Sequence, residues 1–171
     1  MTRVVVACWF LIASFACVAA ETIPSQGSVI SKVYLDSEQN IRIVYSDGKE
    51  FRPPREEDQV ACESFAVAED KQTAGWLVDY PSPNTTYPIP MTLVIYRSGK
   101  VIHKISNGFV IGRWYFLQGG RQVAFATNTL HGDVAPYYEL QDILTKKTID
   151  HWQGQVNEKS PEWAKRLSQP N

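Results

Sequence analysis

Residues 114–152 read WYFLQGGRQVAFATNTLHGDVAPYYELQDILTKKTIDHW, and this stretch decides the fold class. Trp114 to Leu117 and Val123 to Ala126 are short aromatic or small-apolar runs on either side of a tight turn at Gly119-Gly120, the pattern of a β-hairpin. A longer polar connection follows, then Tyr138 to Asp142, a turn at Thr145-Lys146-Lys147, and a last run ending at Trp152. The whole predicts a four-stranded antiparallel unit.

A second copy of the plan lies upstream, from Ser64 to Ile105. Phe65 falls on Trp114, Val67 on Phe116, Trp76 on Phe125 and Leu77 on Ala126 at a spacing of 49 residues. After a shorter downstream insert, the hairpin turn Ser98-Gly99-Lys100 falls on Thr145-Lys146-Lys147 at a spacing of 47. Self-similarity at such a period marks stacked repeat units. Their bulkiest aromatics are expected to share one interior, and their longest connections to leave the sheets at one end. In the upstream copy that connection is Asp79 to Pro90, whose four prolines read as an excursion because proline has no donor for a sheet ladder. In the downstream copy it is Thr127 to Pro136.

Upstream of both, Val29, Val33 and Leu35, then Ile41, Ile43 and Tyr45, alternate with polar residues at period two, which predicts half-buried strands. The Asp47-Gly48 turn and Pro53-Pro54 bound a short returning strand, so residues 29–54 form an incomplete unit. Residues 29–171 are thus expected to be a single β domain with units at 29–54, 64–105 and 113–152. A short helix over 160–168 is announced by Ser160 as cap, Pro161 at the first helical position, and Lys165 and Arg166 near the end. Trp163 and Leu167 are expected to dock on the sheets.

The first 20 residues, MTRVVVACWFLIASFACVAA, hold one basic residue, an apolar run and a small-residue ending, the build of a secretory signal peptide cut after Ala20. A loose arm over 21–28 would follow. These features predict a secreted or periplasmic protein with no transmembrane helix after cleavage. Removing Arg3 from the 17 basic residues leaves 16 against 18 acidic ones, without the basic footprint of a nucleic-acid binder. Cys8 and Cys17 leave with the signal, so Cys62 stands alone and no internal disulfide forms. It is either a buried small hydrophobe or a free thiol that pairs between molecules.

The turn-flanked pattern from Phe116 to Ala126, followed by Tyr138-Glu139-Leu140-Gln141-Asp142 and then Thr145-Lys146-Lys147, resembles TolB-type and tryptophan-aspartate-type propeller repeats. Blades of that kind run from an aromatic through a polar turn to a small-apolar strand, then to a strand ending in Asp before a Thr-Gly-Lys turn. The Ser-Pro-Asp-Gly core of their first turn is missing in both copies. The chain as a whole is similar to an uncharacterised family of exported bacterial proteins. The resemblance implies a mostly β fold of antiparallel propeller-like blades, two clear and one incomplete. Propellers usually close with four to eight blades, so these units imply an open, non-closed assembly, with partner copies as possible completers of its sheet edges. The proline-rich excursion and the C-terminal helix are the elements available to cover such edges.

Candidate functional residues collect in the two long connections. Tyr80, Tyr87 and Tyr137 are rim aromatics suited to a protein, peptide or glycan partner. His131-Gly132-Asp133 offers an oriented base or two metal ligands; the structural alternative is that Gly132 makes the turn while His131 and Asp133 bond to loop backbone. Asn84-Thr85-Thr86 matches a glycosylation acceptor. No Gly-x-Ser-x-Gly elbow, phosphate-cradling loop or three-ligand metal set is present, and no cofactor is implied. The leading expectation is an exported, non-enzymatic binding protein; the alternative is a small envelope hydrolase or metal-binding enzyme using His131 and Asp133.

Overall fold

The computed structural model describes residues 28–169. The signal peptide expected over residues 1–20 and the expected arm through residue 27 lie outside them. The chain is mostly β and forms three antiparallel sheets. The first has the order β1 (Ile30–Leu35), β2 (Ile41–Tyr45), β3 (Glu50–Phe51). The second runs β4 (Ala61–Val67), β5 (Thr73–Tyr80), β6 (Ile89–Arg97), β7 (Lys100–Ile105). The third comprises β8 (Val110–Leu117), β9 (Gln122–Asn128), β10 (Tyr137–Asp142) and β11 (Lys147–Gln153), each paired with the next. The one α-helix among the described residues, α1 (Glu162–Ser168), follows. None of the three sheets closes on itself.

The sheets stack, and β5 shows why. Its sequence TAGWLVDY is buried on both faces as far as Asp79, the mark of a strand in a middle layer. One face carries Ala74, Trp76 and Val78, which with Val94 and Tyr96 meet Ile30, Val33, Ile41, Ile43, Tyr45 and Phe51 of the first sheet. The other face carries Leu77, joined by Leu93, Ile95 and Ile105 against Ile111, Val123, Phe125 and Ile143 of the third sheet. On the far side of the third sheet, Ala124, Ala126, Tyr138 and Leu140 receive Ala164 and Leu167 of α1. The outer face of the first sheet is closed chemically: Arg42 binds Asp36 at 2.9 Å, and the Tyr34 hydroxyl donates to Glu50 at 3.1 Å.

Trp76 and Phe125 therefore do not share one interior, contrary to the expectation from sequence. They occupy equivalent positions in two successive interiors, with 3% and 0% exposure. Stacking rather than facing explains this, because each second strand turns its large aromatic toward the sheet that precedes it. The spacing of 49 holds through the first two strands. It falls to 45 where Arg97 lies opposite Thr73 and Asp142 opposite Gln122, and returns to 47 at Lys100 and Lys147 because the downstream turn is longer.

Other boundaries also differ. Thr127 and Asn128 pair with Ile111 and Val110 at the end of β9, so the downstream connection expected from Thr127 starts at residue 129. Asp79 pairs with Pro90 and Tyr80 with Ile89, so the excursion shrinks to residues 81–88. A register shift between Val78 and Asp79 accommodates the proline in the ladder. At the C-terminal helix, Pro161 takes the cap position without a side-chain bond, while the Ser160 hydroxyl accepts the Asn157 N–H at 2.8 Å. Ser160 thus closes the preceding turn instead of capping α1. The helix covers a sheet face and leaves the β11 edge exposed.

Candidate functional site

The ends of the stack are chemically unlike. At one end lie the short turns of the second and third sheets, and the blades touch there: a β-carbon built on Gly120 would stand 2.7 Å from that of Ala68, and the Ile30 N–H donates to the Lys71 carbonyl. Gly120 has φ +92°, so both its conformation and this contact require glycine. Antiparallel pairing then sends residues 81–88 and 129–136 to the opposite end. The link 106–109 lies there too, joining the end of β7 to the start of β8 beside Asn128.

At that end, a cavity of about 260 Å³ is walled by Asn107 and Phe109 from the link, residues 127–129 with Val134 and Ala135 around the downstream loop, and Tyr137 and Gln153. Its surface is mainly apolar. Phe109 is 43% and Val134 50% exposed, because neither points into any of the three cores. The Tyr137 ring is held by stacking on His151, 5.9 Å between centroids at 28°. Its hydroxyl is shifted upward from the ordinary phenol value, first by burial and then by the charge of Glu139.

Among the five residues singled out from sequence, Tyr137 alone lines this cavity. Tyr80 is half-buried at the end of β5, and Tyr87 is 64% exposed, with its carbonyl accepting the Thr85 hydroxyl at 2.5 Å. His131 and Asp133 are exposed in the same loop as Val134. The loop is not organised by their side chains. Gly132, at φ +71°, makes the turn, its N–H reaching the Thr129 carbonyl at 3.2 Å, and the Thr129 hydroxyl accepts the Val134 N–H at 3.4 Å. Threonine has displaced histidine and aspartate from the backbone-bonding role expected of them. No group of three or more His, Cys, Asp or Glu side chains placed to hold a metal ion occurs among the described residues.

Phe109 was not singled out in the sequence. The available signal was an isolated aromatic immediately after Asn107-Gly108 in a link too short to bury it.

Two buried groups lie near the base of the upstream loop. Asp79 is 5% exposed, its Oδ1 has no hydrogen-bond partner, and its carboxyl is pushed up to about 6, by burial first and by Glu63 second. Cys62 is 3% exposed, and burial pushes its thiol up to about 11. Only the thiolate is the nucleophile. Cys62 in the folded chain is therefore expected to react with iodoacetamide at pH 8 on the order of a hundredfold more slowly than after denaturation. Mass spectrometry of timed aliquots checks this; equal rates would mean an accessible thiol.

No family model matches the sequence, and no curated protein does. Solved structures do match, among them the Dos1 propeller, at a TM-score of 0.41 and 13% identity. The match covers 72% of this chain and 37% of that one, so the chain spans little more than a third of its length. The fold assignment rests on the strand orders and the stacked cores themselves.

Proposed function

We propose that this chain is an exported, non-enzymatic interaction module that engages a protein partner at the end carrying its long connections. The observation that carries the reading is the cavity walled by Phe109, Val134 and Tyr137, where apolar side chains stay exposed beside three complete cores. Small-molecule sites usually enclose roughly 300–1,000 Å³. A cavity of about 260 Å³ suits one aromatic or aliphatic anchor of a partner, the kind of residue that dominates protein interfaces. Tyr87, His131 and Asp133 would form the polar rim. The signal-like residues 1–20 support a secreted or periplasmic location.

The TolB-type or tryptophan-aspartate-type relationship belongs to the same reading. Asp142 supports it, ending the third strand of its blade and accepting the backbone N–H groups of Leu144 at 3.0 Å and Thr145 at 2.8 Å. Arg97 occupies the matching place in the upstream blade, where it pairs with Asp70 at 3.4 Å.

The test is photo-crosslinking of the tagged chain in its native envelope, with the reactive residue at position 134 and the adduct identified by mass spectrometry. One defined protein adduct should form and disappear in Phe109→Ser, with unfolding midpoints unchanged in both. An adduct that persists in Phe109→Ser, or adducts only to abundant bystanders, would remove this face as the contact surface.

A further inference from the structure

A second cleft, of about 280 Å³, opens between β4, the start of β8 and helix α1. It differs in kind from the apolar cavity at the loop end. Arg113 from β8 and Arg166 from α1 both line it, and no acidic side chain does.

Ion pairing elsewhere in the chain makes this unusual. Arg42, Arg52, Arg97 and Arg121 each stand within 4 Å of a carboxylate, at 2.9, 3.3, 3.4 and 2.6 Å, and Arg55, which has none, donates to the Gln59 carbonyl at 2.6 Å. Arg113 and Arg166 have no such partner among the described residues. Glu63, adjacent in sequence to the cleft residue Ser64, is not among the residues that line the cleft. Two like charges lining one cleft without a counter-ion repel each other, so an anion between them relieves that repulsion and gains charge-assisted hydrogen bonds.

The walls are built to hold their positions. Arg166 lies over the Tyr115 ring at 4.2 Å from its centroid, and the Tyr115 hydroxyl donates to the Trp163 carbonyl at 2.9 Å, tying α1 to β8. Across the cleft, Trp114 Nε1 donates to the Ser64 carbonyl at 2.9 Å, tying β8 to β4. Both strands break register here, β4 between Glu63 and Ala66 and β8 between Ile111 and Arg113. Such bulges take Ser64 and Gly112 out of the regular ladder and re-aim their neighbours. A β-carbon built on Gly112 would meet only Asn128 Nδ2, at 3.9 Å, so this wall is open. The Ser64 hydroxyl has no hydrogen-bond partner among the described residues.

We propose that this cleft binds the oxyanion of a small ligand, phosphate or carboxylate, with Arg113 and Arg166 as paired guanidinium donors and the Ser64 hydroxyl as a third. Guanidinium forks match both planar carboxylates and tetrahedral phosphates. The site stands apart from the loop-end cavity and does not depend on it.

The full chain is titrated with inorganic phosphate and, separately, with acetate at constant ionic strength in chloride buffer. The indole N–H resonance of Trp114, assigned with Trp114→Phe, reports on the cleft. It should shift saturably with at least one probe, and the more tightly bound of the two identifies the ligand chemistry. Arg113→Gln and Arg166→Gln should each weaken binding on the order of tenfold, whereas Arg42→Gln, on the outer face of the first sheet, should leave it unchanged. Arg166 is exposed on α1, so its variant reports even if Arg113→Gln fails to fold. No saturable shift with either probe, or affinity unchanged in Arg166→Gln, would overturn the assignment.

Discussion

Phe125→Ala is expected to destabilise the chain by about 3–5 kcal/mol, and Trp76→Ala by a similar amount. Each removes the largest buried aromatic of one intersheet core, at 0% and 3% exposure, from a strand flanked by paired strands on both sides. The loss combines the transfer energy of the ring with a cavity that the two flanking sheets cannot collapse together to fill. For a domain of this size the unfolding midpoint should fall by roughly 10–20 °C. The pair also distinguishes stacked interiors from a shared one. Residues in separate cores have nearly additive effects, within about 0.5 kcal/mol, whereas neighbours in one core couple. Urea unfolding of both single variants and the double variant gives the coupling energy directly, and a value well above that range would contradict the stacked arrangement.

Asp79→Asn is expected to stabilise the protein at neutral pH. The folded carboxyl titrates near 6 against an ordinary value of 3.8, with burial as the main cause and Glu63 adding to it. The folded state thus holds this proton more tightly than the unfolded state, so the group favours folding in acid. That advantage is lost as pH rises from about 4 to about 6, amounting to at most about 3 kcal/mol at about 1.4 kcal/mol per unit. Asparagine carries no charge at either end of the window. The variant should therefore exceed the wild type by on the order of 1–3 kcal/mol above pH 6, and by little below pH 4. Asp36 and Asp142 shift downward and act in the opposite direction, but they are common to both proteins and cancel in the difference. Urea unfolding at pH 4 and pH 7 settles the matter: a difference that does not depend on pH would mean that Asp79 is solvated.

The strand plan was legible because local signals agreed with one another. Asp47-Gly48, Gly99 and Gly119-Gly120 punctuate runs whose periodicity matches the strands observed, and Trp76 and Phe125 mark the repeat. What escaped the sequence depends on partners distant along the chain. Pro90 reads as a strand breaker, yet the bulge at Val78 and Asp79 admits it to the ladder. Asp79 looks like the first residue of a polar loop, and only the neighbouring strands reveal its burial. Phe109 and Val134 are separated by 25 residues of sequence, and Arg113 and Arg166 by 53, so no local pattern joins either pair. His131 and Asp133 drew attention by residue type, while Thr129, chemically plainer, organises their loop.

Both long connections leave the stack at one end, with the short turns of the second and third sheets at the other. Spin labels carried on unnatural amino acids at positions 86 and 133, measured by double electron–electron resonance, test this against labels at positions 86 and 145. An eight-residue strand spans roughly 26 Å, whereas stacked sheets lie only about 10 Å apart. The 86–133 distance is therefore expected to be the shorter, by roughly 10 Å or more. Equal distances, or a longer 86–133 separation, would place the connections at opposite ends and remove the common contact face.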